Sequence, residues 1–383
     1  MQLTSLPRDL LEIILSKVPD TPLARFRTTS KRWNIMLSSE GFVKKHSANA
    51  PKDESLCIAL INSRVHLVRI NLREPSVKVA IHPFYLKDPL SNSSQVDIRN
   101  VSHCDGLLLC STEDDRLVVW DPYSGETKWI KPRDRYKDSD YFALGFDNKS
   151  SCKQYKILRV DRNHILPVKY VCEVYDFTSD SWRVLGTATY WYIPDYRHGI
   201  SMKGNTYWLA MRMVKPDTEF ILGFDFSKET FQCLSRPHPS LGLTALSVVK
   251  EEQLCLLVFL LPDFLMGADA SSSELQVWVT TSTGSWNKSL AVIGLDGYRD
   301  MFKDMLPRGI SFLADEQKKV VMCLNRENNF NILRENKHIL KEHLGGGSKC
   351  ISSPAVLLNY PPSLARIRQD TFLKGRKRKA ESI

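Results

Sequence analysis

Apolar residues recur every three to four positions through the first fifty residues, and beyond them the period changes. Leu10, Ile14 and Val18 fall at i, i+4 and i+8, with Leu11 and Leu15 beside them and Ile13 widening the stripe, which predicts a first helix. Pro7 suits a first helical position because its missing N–H would be unpaired there anyway. A second start follows at Thr21-Pro22, where Leu23 and Phe26 repeat at i, i+3. A third pattern runs from Thr29 or Ser30, with Trp33, Met36 and Leu37 on one side. A segment this small rarely builds a sufficient core of its own. Each large side chain sunk into a partner contributes about 1.5–3 kcal/mol. The pattern therefore predicts an interface shared with another polypeptide.

Residues 48–55 contain no large apolar residue and read as a linker. After them, helical spacing gives way to short apolar runs separated by polar turns, among them Leu56–Ile61, Leu107–Cys110, Leu117–Trp120, Tyr155–Val160, Phe220–Phe226, Leu254–Leu261 and Val320–Leu324. Their lengths suit strands. One device is written four times: Trp120-Asp121 with Trp129, Tyr175-Asp176 with Trp182, Phe224-Asp225 with Phe231, and Trp278 with Trp286. An aromatic ends one strand, a turn of Asp, Ser, Thr or Gly follows, and a second aromatic begins the return strand. Asp and Ser favour such corners because their side chains bond the turn's own amides, and the paired aromatics can pack across strands. The repeats stand 55, 49 and 54 residues apart. All-β units at a period near 50 point to propeller blades. Val65–Val79 and Val320–Leu340 supply one further unit each, giving about six. A β-sandwich with hairpins of similar length is the competing architecture. Regular spacing favours the propeller, because each unit must bury two faces against its neighbours.

The string LPRDLLEIILSKVPDTPLARFRTTSKRWNIMLSSEGFVKKH, residues 6–46, resembles the F-box of plant F-box proteins over nearly its whole length. Leu6, Pro7, Asp9, Leu10, Ile14, Leu15, Pro19, Leu23, Arg25, Phe26, Arg27, Lys31, Trp33, Phe42 and Val43 all fit the family pattern. Ile13 departs from it, standing where the family usually has an acid, and so do Thr28 and Thr29. The resemblance implies docking on the Skp-type adaptor of a cullin–RING ubiquitin ligase, with Leu6, Pro7, Leu10, Ile14, Leu23 and Phe26 as adaptor contacts. A second resemblance covers the β region, to the plant F-box-associated domain of type one. It rests on Ser102–Cys110, Val119-Trp120-Asp121-Pro122, Val174-Tyr175-Asp176 with Ser181-Trp182, Gly199-Ile200-Ser201 with Gly204–Ala210, and Phe224-Asp225-Phe226. Such domains are propeller-like platforms for binding proteins. The expected organisation is an F-box at 1–47, a linker at 48–55, a propeller-like (kelch-like) domain at 56–345 and a C-terminal extension with a basic tail at 346–383. The implied function is substrate recognition in an SCF-type ligase. The alternative is an adaptor-bound interaction module that does not drive degradation.

Composition narrows this reading. Of 383 residues, 43% are apolar, enough for a real core, and no run approaches the length of a membrane span. The opening residues lack the order of a secretory signal, since Arg8 and Asp9 interrupt them early. The formal net charge is +10, and residues 364–383 hold seven cations against two carboxylates. The rest of the chain is only mildly basic, which argues against a nucleic-acid-binding body. In the tail, Lys374, Arg376, Lys377, Arg378 and Lys379 repel one another too strongly to fold, and they form a candidate nuclear-import signal. Location in the nucleus, the cytoplasm or both is expected. Nine cysteines include no Cys-x-x-Cys and mostly lie in apolar runs, so a reducing compartment is expected.

Chemistry is sparse. His103-Cys104-Asp105 offers a base, a thiol and a carboxylate, but neighbours on a strand end point to different faces, so the triplet reads as a turn leading into Leu107–Cys110. The run Leu344–Lys349 lacks the spacing of a phosphate loop and reads as a connector. No zinc spacing and no nucleophile elbow appears. No cofactor, metal or catalytic residue is expected, and the loops Arg133–Tyr141, Tyr190–His198 and Asp263–Ser273 are the candidate target contacts.

Overall fold

The computed structural model describes residues 6–18, 23, 26, 29–37, 39–49, 54–72, 77–90, 95–147, 149, 153–163, 169–188, 190–194, 197–213, 219–237, 243–249, 252–260, 274–281, 284–293, 310–325, 327–334, 337–345 and 356–360. The opening module contains α1 (Arg8–Ser16), α2 (Lys31–Leu37) and α3 (Glu40–Asn49). Leu23, Phe26 and Thr29 are helical as well, and the rest of that segment lies outside the described residues. The sequence pattern places no helix at 40–49, yet α3 runs through the expected linker start to Asn49, and the first strand already begins at Glu54. The cause is a cap: the Ser39 hydroxyl accepts from Phe42 N at 3.3 Å, which opens a helix of low apolar periodicity. α3 then ties back to α1 through Lys45 to Glu12 at 2.8 Å, Asn49 to Ser16 at 3.2 Å, and the His46 ring to the Val18 carbonyl at 2.8 Å.

The β body forms six sheets among the described residues. Blade one holds β1 (Glu54–Ile61), β2 (Arg64–Asn71) and β3 (Lys78–Pro83); blade two holds β4 (Ile98–Cys104), β5 (Leu107–Thr112), β6 (Leu117–Trp120) and β7 (Thr127–Ile130). Blade three is β8 (Tyr141–Asp147), β9 (Gln154–Asn163), β10 (Lys169–Asp176) and β11 (Ser181–Ala188). In blade four the innermost strand comes in two pieces, β12 (Trp191–Tyr192) and β13 (Ile200–Met202), followed by β14 (Asn205–Arg212), β15 (Glu219–Asp225) and β16 (Thr230–Leu234). Blade five is β17 (Leu243–Val249), β18 (Gln253–Leu260), β19 (Glu274–Thr280) and β20 (Trp286–Ile293), and blade six is β21 (Ser311–Asp315), β22 (Val320–Leu324), β23 (Asn329–Arg334) and β24 (Lys337–His343).

The last strand, β25 (Val356–Asn359), pairs antiparallel with β1 and becomes the innermost strand of blade one. This corrects the expected domain limit at residue 345: residues 356–360 are part of the ring. Its innermost strands touch in succession, β25 against β4, β4 against β8, and finally β17 against β21 and β21 against β25. The sandwich alternative is thereby excluded. Tyr360 fastens the closure, its hydroxyl donating to the Gly106 carbonyl in blade two at 2.9 Å. Four residues were too short a signal, separated by a charged and Gly-rich stretch from the pattern they complete.

Burial grades outward through each blade. Second strands such as β5 and β22 are almost wholly buried, third strands such as β19 alternate, and fourth strands such as β3 and β16 are largely exposed. The cores lie between blades: Leu109, Leu144 and Tyr175 meet at one seam, Phe224, Trp191 and Leu158 at the next, and Leu257, Phe312 and Val321 join blades five and six. Two turns from first to second strand, Asp105-Gly106 and Lys203-Gly204, have positive φ at both residues, the geometry of a tight two-residue hairpin. At Gly204 a Cβ would lie 2.7 Å from the Phe146 ring, so the neighbouring blade also demands glycine there.

The repeated aromatics mark the third-to-fourth-strand hairpin of four consecutive blades. Tyr175 lies directly opposite Trp182 and Phe224 opposite Phe231, whereas Trp120 faces Thr127 and Trp278 faces Lys288. Two of the four pairs thus meet across strands. In the other role, Trp182 Nε1 donates to the Lys131 carbonyl at 2.8 Å and Trp286 Nε1 to the Ser235 carbonyl at 3.1 Å, each reaching back 51 residues to the preceding blade. In blades three and five the second aromatic is a strut between blades, a role invisible from within one repeat.

Candidate functional site

The helical module has a small interior: Leu15, Leu23, Met36, Leu37 and Phe42, with Val18, Phe26 and Trp33 packed against it. α1 sends Leu11 and Leu15 inward and Glu12 into ion pairs with Arg8 at 3.1 Å and Lys45 at 2.8 Å. These cations hold the Glu12 carboxyl below its usual range, Lys45 foremost. The opposite side of α1 is apolar too. Leu10, Ile13 and Ile14, at i, i+3 and i+4, are 49%, 48% and 45% exposed, and Ile35 on α2 is 71% exposed. Pro7 is exposed beside them and Leu6 is half-buried. α1 is thus apolar on two faces and can bury only one by itself.

Of the residues expected to contact an adaptor, Leu6, Pro7, Leu10 and Ile14 lie at the surface. Leu23 does not: at 3% exposure it is part of the interior, its i, i+3 partner Phe26 is half-buried, and Phe26 stacks on Trp33 with centroids 5.9 Å apart. Those two side chains hold the module together rather than offering themselves outward. Ile13 and Ile35 were passed over as contacts, although the i, i+3, i+4 spacing of Leu10, Ile13 and Ile14 carried the signal for Ile13.

On the propeller, strand direction sorts the connections between two ends. The chain enters β1 and leaves β25 at the proximal end, with the turns from first to second and from third to fourth strand. The distal end carries the connections from second to third strand and from blade to blade. The candidate loops Arg133–Tyr141, Tyr190–His198 and Asp263–Ser273 all belong to distal connections, the last lying outside the described residues. Tyr190 is exposed, as are Tyr85 and Leu90 on another distal connection, whereas Trp191 is buried against Phe231 with centroids 5.0 Å apart. The loop before β8 is firmly built. Arg159, 2% exposed, lies between Asp140 at 2.7 Å and Glu173 at 3.0 Å, donates to the Arg135 carbonyl at 2.9 Å and covers the Tyr136 ring. Burial pushes the Asp140 carboxyl above its usual range.

His103-Cys104-Asp105 forms a corner. His103 is buried, its ring nitrogen accepts from Gly106 N at 2.8 Å and its edge meets Tyr360, while Asp105 accepts from Lys153 and Tyr155 of blade three at 2.6 Å each. Burial lowers the His103 pKa to about 4 and raises that of Cys57 to about 12. The groups diverge into separate packing roles. Lys374, Arg376, Lys377, Arg378 and Lys379 lie outside the described residues.

A small helical module with a surplus apolar face, joined to a six-bladed propeller, is the organisation of F-box proteins that carry an F-box associated propeller domain. The family described as F-box domain matches residues 3–45, and that described as F-box associated beta propeller domain matches residues 56–367. The chain belongs to this family. It is 47% identical to the Arabidopsis thaliana protein At3g23260, named as an F-box protein, over 96% of this chain and the whole of that one. F-box protein At5g42460 of the same plant is 36% identical over 96% of this chain and 99% of its own length. F-box/kelch-repeat protein At3g16740, also from Arabidopsis thaliana, is 34% identical over 96% of this chain and all of its own. Among solved structures, an auxiliary nutrient binding protein from Bacteroides thetaiotaomicron aligns with 79% of this chain and 78% of its own at a TM-score of 0.38 and 10% identity, too slight a likeness to carry anything about function.

Proposed function

We propose that this chain is the substrate receptor of an SCF-type cullin–RING ubiquitin ligase. The surplus apolar face of α1 docks on a Skp-type adaptor, and through it on the cullin and RING subunits. The observation that carries this is the stripe of Leu10, Ile13 and Ile14, with Ile35 near-fully exposed on α2, on a module whose interior is already filled. Burying one such side chain contributes about 1.5–3 kcal/mol, so a handful suffices for a stable complex. The distal end of the propeller receives the target, a reading supported by Tyr85, Leu90 and Tyr190 exposed on its connections. Catalysis is then positioning: a target lysine held near a ubiquitin-carrying enzyme meets it at high effective concentration, without a reacting group on this chain.

The test is affinity purification after proteasome inhibition, comparing the intact chain with one lacking residues 1–46. The intact chain is expected to bring down adaptor, cullin and ubiquitin-modified targets, and the truncated one targets alone. Targets whose half-life ignores a cullin-activation inhibitor would instead support an adaptor-bound module that does not drive degradation. For the basic tail we propose nuclear import. Deleting residues 374–379 is expected to lower nuclear intensity of a tagged chain, and unchanged intensity defeats the idea.

A further inference from the structure

Where blades three and four each meet the one before, the third strand ends in a triplet that fills the gap: Tyr175-Asp176-Phe177 in blade three and Phe224-Asp225-Phe226 in blade four. Tyr175, Phe224 and Phe226 are buried, and Phe226 reaches so far into blade three that a Cβ on Gly145 would lie 2.1 Å from its ring. Blade five keeps the strut of this arrangement, with Trp286 bonded to the Ser235 carbonyl as Trp182 is to that of Lys131. Its triplet, however, reads Thr280-Thr281-Ser282, and Thr280 is the residue opposite Trp286. The position whose ring fills the sister seams is a threonine here.

The consequence is a cavity of about 470 Å³ between blades four and five, within the roughly 300–1,000 Å³ typical of ligand pockets. Met202, Leu234, Leu254 and the Trp286 indole line it, with Lys203, Glu252 and Gln253 among its polar lining. It lies at the seam beside the turns of the proximal end, away from the distal connections.

We propose that this cavity is an anchor site for an aromatic side chain, tyrosine or phenylalanine, presented by a polypeptide bound to the propeller. The two preceding seams show what the position accepts: each holds a ring of this chain's own, packed against the same outer-strand aromatic. A ring supplied from outside completes the fifth seam in the same way. Aromatic anchors sunk into a pocket carry much of the binding energy at protein interfaces, and an indole wall suits their edge-to-face packing. The proposal rests on the reading of the propeller as the target-binding domain and adds to the distal contacts a second, proximal one, naming the side chain that the target must present there.

The test uses the full chain and three capped pentapeptides, a glycine peptide bearing one central tyrosine, the same with leucine, and glycine alone, with p-cresol as a free ring. Saturation-transfer NMR is expected to show transfer to the tyrosine ring above that to leucine or glycine. Thr280→Tyr, which restores the ring of the sister seams, is expected to weaken tyrosine-peptide binding at least about tenfold, the scale of one lost anchor. Ser235→Phe, at an exposed position on the cavity wall, is expected to do the same should Thr280→Tyr fail to fold. Val184→Ala, on the exposed outer strand of blade three, is expected to leave binding unchanged. Equal transfer to the tyrosine and leucine peptides overturns the proposal, as does unchanged binding in a filled variant with native circular dichroism. Binding of p-cresol without the tyrosine peptide overturns the choice of a polypeptide. Adaptor pull-down on the same variants is expected to stay intact, so a negative result here leaves the ligase reading standing.

Discussion

The helical module and the propeller draw on the same apolar residue types and finish differently. In β5, Leu107, Leu108, Leu109 and Cys110 are buried on both faces of the strand by this chain's own blades. In α1, Leu11 and Leu15 are buried while Leu10, Ile13 and Ile14 are left out. The propeller can finish because its ring closes: β25 returns to β1 and completes blade one, and neighbouring blades bury each other's faces. The module has no such return. A sequence-local excess of apolar surface thus means core in one region and an outward apolar face in the other, and closure decides which.

The largest effect should come from breaking closure. Deleting residues 356–383 removes β25 and Tyr360 and is expected to abolish the cooperative unfolding transition of the propeller, while deleting 361–383 is expected to retain it. Thermal melts followed by circular dichroism distinguish the two. Next, Arg159→Met leaves Asp140 buried without its cation and Glu173 with Arg133 alone at 2.8 Å, a loss expected to cost about 3 kcal/mol, read as a lower urea midpoint with adaptor binding intact.

His103 offers a pH test confined to the propeller. Folded, it stays neutral down to about 4 because it is buried; unfolded, it gains a proton near its ordinary value of about 6.5. Stability is therefore present in full above about pH 6.5 and is lost as pH falls toward about 4, by up to about 3 kcal/mol. His103→Gln is expected to flatten that part of the urea-midpoint profile. The smallest effect belongs to the module. The Glu12 carboxyl, held low by Lys45 and Arg8, contributes stability above the usual carboxylate range that is lost as pH falls through its folded value. Lys45→Met should remove less than about 1 kcal/mol of it, given the exposure of that lysine.

The blade repeat was legible because one hairpin device recurs near every fifty residues, and all four copies lie on third-to-fourth-strand corners. The closing strand was not, since Val356–Asn359 has no turn-linked partner and pairs with residues three hundred positions earlier. Helix α3 was hidden by a weak apolar period that Ser39 and contacts to α1 override. For the candidate interface, periodicity established that α1 is apolar around most of its surface but not which face turns inward. That choice depends on Leu23, Met36, Leu37 and Phe42, and only the fold brings them together. The sequence pattern pairs Trp278 with Trp286, whereas the strand register puts Thr280 opposite Trp286, and only the fold shows the cavity beside it.

The central claim is that the outward face of α1 belongs to a partner. Leu10→Glu with Ile14→Glu places two charges on side chains about half exposed in the free chain, so the melting temperature of the purified protein is expected to change little, in keeping with surface substitutions worth about 0.5 kcal/mol each. Co-purification of a Skp-type adaptor with the full chain is expected to fall to background in the double variant and to persist in wild type. Adaptor recovery at wild-type levels from the folded double variant would contradict the account.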